Sequence, residues 1–503
     1  MPQWNSYWRR RAWFVLALIL VAVTPLIFQK DHHLSRGECD RSLVVVTPHN
    51  ETIRNEFTHA FQNYWQEKTG EKVYIDWRTP GGTAEVLKVV EASQVASQKR
   101  GEAMEIDVFF GGGEYLFETL AKRDLFEPLH VFEKKPEWFA TDGGIPEVYL
   151  GERYYSDEKL WTGVCLSQFG ICYNTDVLER LGLDAPQTWD DLGKPEFFGL
   201  VAMADPLKSG SVTKAFEMMM QQKIAERLVS IKRKTGETET DRRNRAVSHG
   251  WADGLRLIQR IAANSRYFTD SATKIVHDVA QGEAAVGVCI DFYGRAYQER
   301  FREEDGSPGR LQWVAPRMGT SMSADSVAVM KNAAEAELAQ GFVEFLLSDA
   351  GQLLWSNKVG AKYGPKRRVL GRLPIRPQIY SEANREDFAF PENDAYSNDE
   401  LLVYLPELTG PMFGVLRVVL KGMCMDVHDE LRAAWSELIA AGVPPLALNH
   451  FQDVSYVSYM KSKGELRSDL SSRSRGEFAA IMKRLSGVFK RNYVETIRLT
   501  EER

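Results

Sequence analysis

Four short turns in this 503-residue chain carry residue types suited to holding a polar or anionic ligand. They contain Thr47-Pro48-His49-Asn50, Thr79-Pro80-Gly81-Gly82-Thr83, Gly111-Gly112-Gly113 and, at the end of Asp205–Ser211, Ser209-Gly210-Ser211. Each follows an apolar run of strand length and precedes a segment of helical periodicity. Glycine lets a ligand approach the backbone closely. A helix N-terminus points unpaired N–H groups outward and favours negative charge. In open α/β sheets, ligands sit beyond the carboxyl ends of the strands. One such turn is an ordinary strand–helix joint; four, each at an expected strand end, define a candidate site. The chemistry they predict is binding. There is no G-x-S-x-G, no H-E-x-x-H and no nucleophile with a partnered base, so the chain is not read as an enzyme. Gly111-Gly112-Gly113 lacks the G-x-G-x-x-G spacing and no P-loop is present, so no cofactor is expected.

The turns are positioned by alternating strands and helices. Ser42–Thr47, Lys72–Trp77 and Asp107–Phe110 read as buried strands. Thr52–Lys68, Thr83–Ser97 and Glu114–Lys122 read as the helices that follow them. This order implies a mostly parallel sheet covered on both faces. A second series starts near Trp161, with a long apolar stretch to Tyr173, a strand at Gly199–Ala204 and a helix at Ser211–Gln222. Helices at Trp251–Ala263 and Thr273–Gln281 and a strand at Ala284–Ile290 continue it. The last part, from about Tyr380, is mainly helical, at Met412–Met423, Val427–Ala441 and Gly476–Val494.

A formal net charge of −6 without a basic stripe argues against nucleic acid as a partner. Arg9-Arg10-Arg11 precedes an apolar run from Ala12 to Phe28. At about 1.5 Å per residue that run makes a helix of roughly 26 Å, near the short limit for crossing a bilayer. The arginines hold its start in the cytoplasm and place the rest outside. No A-x-A-like site follows, so residues 1–30 are expected to be an uncleaved membrane anchor, with 31–41 as linker. The five cysteines, Cys39, Cys165, Cys172, Cys289 and Cys424, form no C-x-x-C pair, and no metal site is expected from them.

Taken in order, several segments resemble the ferric-ion and phosphonate-type periplasmic binding proteins. They are Val44–Val90, Asp107–Gly113 (DVFFGGG), Trp161–Asp176 (WTGVCLSQFGICYNTD), Pro186–Phe198, Met322–Lys331 (MSADSVAVMK) and Glu344–Val359. The resemblance implies an α/β, two-lobed periplasmic-binding-protein type 2 fold with two hinge-crossing strands, Trp161–Tyr173 and Ala284–Phe292. Lobe one is then 42–155 with 292–503, and lobe two is 156–291. It places Cys165, Cys172 and Cys289 on the crossings, where a Cys165–Cys289 disulfide is one pairing open to them. It implies an extracytoplasmic solute-binding component, on the outer face of the cytoplasmic membrane, that hands a small polar or anionic solute to an ABC permease and its ATPase. The ligand-binding set it suggests is Thr47, His49, Asn50, Thr79, Gly81, Gly82, Thr83, Gly111, Gly112, Gly113, Ser209, Gly210, Ser211, Asp291, Tyr293 and Asp325. Ferric members bind metal through adjacent tyrosines on the return strand. The matching place here reads Asp291-Phe292-Tyr293, with Tyr297 four residues on and His49 and Glu85 as further metal donors. A ferric-ion carrier and a membrane-anchored solute sensor are the alternatives.

Overall fold

The computed structural model describes residues 34–140, 142–471 and 475–502, with Trp13 and Val15. Apart from those two residues, the expected anchor over 1–30 lies outside this range. The first series forms as its pattern requires. β1 (Arg41–Val46) is followed by α1 (Glu51–Thr69), β2 (Val73–Arg78), α2 (Thr83–Arg100), β3 (Val108–Phe110), α3 (Glu114–Ala121) and β4 (Phe126–Glu127). The apolar run of β1 pairs in parallel with β2 and β3 and is almost wholly buried. α1 starts where the Asn50 side chain accepts the Ile53 N–H at 3.1 Å, and it stops at Gly70 in the left-handed region, φ 81°.

A hairpin, β5 (Val148–Tyr149) and β6 (Glu152–Arg153), precedes the first crossing. That crossing is two strands, β7 (Thr162–Ser167) and β8 (Phe169–Asn174), broken at Gln168. The second series runs β9 (Val201–Ala204), α4 (Gly210–Ser230), α5 (Glu239–Ala263), β10 (Ser265–Thr269), α6 (Ala272–Ala280), β11 (Val286–Ile290), α7 (Asp291–Arg300) and β12 (Leu311–Val314). Then come β13 (Ser323–Met330), α8 (Ala336–Leu347), α9 (Asp349–Ser356) and β14 (Leu373–Pro374). The first lobe's sheet has the order β14-β7-β13-β3-β1-β2, with β4 on β13, and the second lobe's has β10-β9-β11-β8-β12.

Two expectations about chain path are corrected. Ala284–Phe292 is not the return crossing: β11 lies inside the second sheet, parallel to β9 and antiparallel to β8. The chain re-enters the first sheet only at β13. A strand buried on both faces reads alike in either place. The second correction is larger, because residues 292–503 do not all belong to lobe one. α10 (Phe413–Leu420), α11 (His428–Ala440), α12 (Pro445–Phe451) and α13 (Arg475–Glu501) share the apolar core of lobe two. α5 has two faces to satisfy: one meets α4, and the other needs partners from these helices. The Trp251 indole N–H donates to Val457 O at 2.9 Å, and the Gln259 amide donates to Phe451 O at 2.7 Å and to Tyr493 Oη at 3.0 Å.

The connector reaching this helical region runs between the lobes. Met318 N–H donates to Glu400 O, Leu402 N–H to Thr320 O and Tyr404 N–H to Leu150 O, at 2.8–3.0 Å. Among the described residues, Pro406–Met425 is long and apolar enough to cross a membrane, and most of it is buried in the second lobe. All five cysteines are free, so the Cys165–Cys289 pairing is absent; Cys165 lies in the first sheet and Cys289 in the second.

Candidate functional site

The first lobe gathers two of its turns around one buried charge pair. Thr47 is fully buried; its Oγ1 accepts the His49 backbone N–H at 3.1 Å and lies 3.0 Å from His49 Nδ1. His49 Nε2 is 3.1 Å from Asp325 Oδ2, on β13. The same carboxylate accepts the Gly112 N–H and pairs with Arg372. Arg372 Nη1 also reaches Cys165 Sγ at 3.1 Å, and its guanidinium lies 5.4 and 5.5 Å from the ring centres of Phe292 and Trp355.

Burial alone would raise the Asp325 carboxyl, but the Arg372 charge and the His49 hydrogen bond hold it well below the usual carboxylate range. Burial would lower the Arg372 guanidinium; the Asp325 charge instead raises it. Burial lowers His49 below its ordinary value, and Asp325 offsets only part of that. Nε2 faces the Asp325 carboxylate and Nδ1 the Thr47 hydroxyl, so both ring nitrogens are occupied.

The glycines at 111 and 112 fit this geometry and no other residue does. Their φ values are 101° and 117°. A Cβ on Gly111 would stand 2.6 Å from the His49 ring. Gly113 precedes α3 as its N-cap.

The turn before α2 faces the other lobe. Thr79 and Gly81 are exposed, Gly82 is the N-cap of α2 and Thr83 opens the helix. A Cβ on Gly82 would lie 2.5 Å from Lys208 O, in the fourth turn, so the two turns touch across the lobes. Ser209 caps α4 by accepting the Val212 N–H at 3.3 Å, and its Oγ is 3.2 Å from Ser211 Oγ. Gly210 opens α4. Asn50 likewise spends its side-chain oxygen on a cap, that of α1.

Asp291 and Tyr293 open α7 beside the break at Gln168. Asp291 is fully buried; its N–H donates to Gln168 O at 2.9 Å and its Oδ1 accepts the Phe292 N–H at 2.7 Å. Its Oδ2 has no hydrogen-bond partner among the described residues. Burial raises this carboxyl, and Arg295 and Arg372 draw it back. Tyr293 is half-buried, its ring 5.0 Å from that of Phe292.

A second charged cluster lies between the lobes and was not found from the sequence. Lys214 Nζ, on α4, is 3.1 Å from both Glu152 Oε1 of the first lobe and Glu217 Oε2 of its own helix, and 3.8 Å from the Tyr404 ring centre. Ser321 donates to Glu152. Tyr404 and Thr409 donate to Glu217 at 2.8 and 2.7 Å. Glu114, directly after the three glycines, is pushed up to about 7 by burial and by Glu152. Arg372 was also missed, although an arginine inside the apolar run Val369–Ile375 is a legible signal of a buried charge.

Two α/β lobes, joined by strands and lined with glycine-rich turns and helix N-termini at their mutual face, define a two-lobed ligand-binding protein. The chain belongs to the bacterial extracellular solute-binding proteins, whose family model matches residues 104–366. It is 26% identical over 260 residues to an uncharacterized protein of Haemophilus influenzae, covering 50% of this chain and 61% of that one. It is 24% identical over 200 residues to the phosphoglycerate transport regulatory protein PgtC of Salmonella typhimurium, covering 40% of this chain and 42% of that one. The chain thus spans less than two thirds of the length of these curated relatives. The substrate binding protein of the ABC transporter from Agrobacterium tumefaciens superposes on 75% of this chain and 93% of its own, with 14% identity and a TM-score of 0.51, which shows a shared fold.

Proposed function

We propose that the protein closes its lobes on a small organic anion and delivers it to an ABC permease and its ATPase at the outer face of the cytoplasmic membrane, held there by the anchor over residues 1–30. The carrying observation is the meeting of Gly82 with Lys208 O, which brings the N-termini of α2 and α4 to one place from opposite lobes. Helix N-termini favour anions, and with Ser209, Ser211 and the exposed Thr79 beside them they suit a phosphate or carboxylate. The name of PgtC, a phosphoglycerate transport regulatory protein, agrees with a phosphorylated carboxylate. A ferric ion is supported less well, because both nitrogens of His49 are engaged inside the first lobe.

A thermal-shift panel on the full chain tests this reading. It should hold 3-phosphoglycerate, sugar phosphates, phosphonates, carboxylates, polyamines and ferric citrate. A solute at about 100 times its Kd adds about 2.7 kcal/mol of stability. A shift with the phosphorylated or carboxylated members is expected; a flat panel, or a response to ferric citrate alone, would end the proposal. The regulatory wording of the PgtC name favours a second reading, in which the bound form signals. Loss of induction with uptake intact, in a deletion strain fed labelled solute, would select it.

A further inference from the structure

The helical region after residue 404 lies beyond the family match, yet it reaches the solute-facing turn. Arg417, on α10, donates from Nε to Pro206 O at 2.7 Å and from Nη2 to Leu207 O. Both carbonyls belong to the turn Asp205–Ser211, whose Lys208 O meets Gly82 of the other lobe. From inside, the turn is held by Asp205, which accepts the Leu207 N–H at 2.7 Å on Oδ1 and the Lys208 and Ser209 N–H groups on its carbonyl. Thr213 Oγ1 donates to Pro206 O at 2.8 Å. Those bonds fix the turn's own shape; Arg417 adds its placement against α10. On the same helix, Phe413 lies 5.3 Å from the Tyr115 ring, one residue past Glu114 in the first lobe. α10 therefore touches the solute-facing turn of the second lobe and the first turn of α3 in the first lobe.

We infer that Arg417 is a positioning residue for the Ser209-Gly210-Ser211 solute grip, so that the C-terminal helices are part of the binding apparatus and not an appendage to it. The physical reason is geometric. A guanidinium offers donors in a rigid fork, which matches two successive carbonyls and fixes the turn in two directions. Its charge lies at the carbonyls of Pro206 and Leu207, just before the N-terminus of α4, where positive charge favours an anion. This inference rests on the reading that the turn binds solute, and its test separates the two.

The variants are Arg417→Met, which keeps the stem and removes the donors, and Arg417→Lys, which keeps the charge and one point donor. Hydrogen exchange on the full chain, read on peptides spanning 205–211, 212–222 and 413–420, needs no ligand. In R417M the amides of 207–209 should exchange about tenfold faster, a loss of about 1.4 kcal/mol of local protection. R417K should fall between, and the interior of α4 should stay protected. Unchanged exchange at 207–209 overturns the inference. So does an equal loss across α4 and α10, which would mean that Arg417 serves only the fold. If R417M does not fold, R417K against the parent decides. In a parallel arm, a thermal shift with 3-phosphoglycerate that is present in the parent and reduced in R417M supports both claims. No shift in the parent removes the solute reading and leaves the exchange result to stand alone.

Discussion

Two buried charge clusters differ in where their partners live. His49, Asp325, Arg372 and Cys165 all belong to the first lobe, and their charges are balanced and enclosed. Glu114, Glu152, Lys214 and Glu217 come from both lobes, and carboxylates outnumber the lysine. The first cluster can only shape one wall of the cleft. The second responds to how the walls meet, because moving the lobes changes which charges it contains.

The contrast breaks first at Arg372. Arg372→Met leaves Asp325 buried without its cation, and urea unfolding should show a loss of about 3–5 kcal/mol. Adding Asp325→Asn to that variant should return most of it. A loss below about 1 kcal/mol would show that the pair is not the enclosed unit described. Lys214→Met should cost less, about 2 kcal/mol, since the lysine keeps some contact with solvent; the same titration measures it. Gly82→Ala addresses the lobe contact itself. Its methyl would meet Lys208 O at 2.5 Å, so overpacking of about 1–3 kcal/mol should press the lobes apart. Small-angle scattering should then give a larger radius of gyration than the parent, and an unchanged radius would refute the contact.

The smallest effect concerns pH. Glu114 has its ordinary value of 4.5 raised to about 7. The stability linked to it is fully present below about 4.5 and is lost as pH rises through about 7. Melting temperatures of the parent minus those of Glu114→Gln should therefore trace a slope confined to that window, with Glu118, Glu152, Arg153 and Lys214 as the charges facing it. Asp325 has the opposite sign: its contribution is present above the usual carboxylate range and is lost only in stronger acid. A difference curve without slope between 4.5 and 7 would place Glu114 in solvent.

What could be read from the sequence was what is local. The turns Thr47–Asn50, Gly111–Gly113 and Ser209–Ser211 sit at strand ends because each is set by its immediate neighbours. Asn50, Ser209 and the glycines at 111 and 112 adopt the conformations their types prefer. Arg372 announces a buried charge by standing in an apolar run, but its partners Asp325 and Cys165, 47 and 207 positions away, were not legible. The helices after residue 404 were recognised as helices but assigned to the wrong lobe. An amphipathic pattern says that a face must be covered and is silent on what covers it. The break at Gln168 was equally hidden, since β7 and β8 are both buried and read as one strand.

The docking of those last helices also sets an order of assembly. Gln259 bonds to Tyr493 and Trp251 to Val457, separations of 234 and 206 residues. The first lobe's sheet is complete by Pro374. The second lobe's core lacks Phe489 and Tyr493 until α13 has been made, more than a hundred residues later. Its contacts are therefore of long range and carry a high loop-closure cost, the property that slows folding. During synthesis the sheet of the first lobe can form early, while the core of the second stays open until α13 is available.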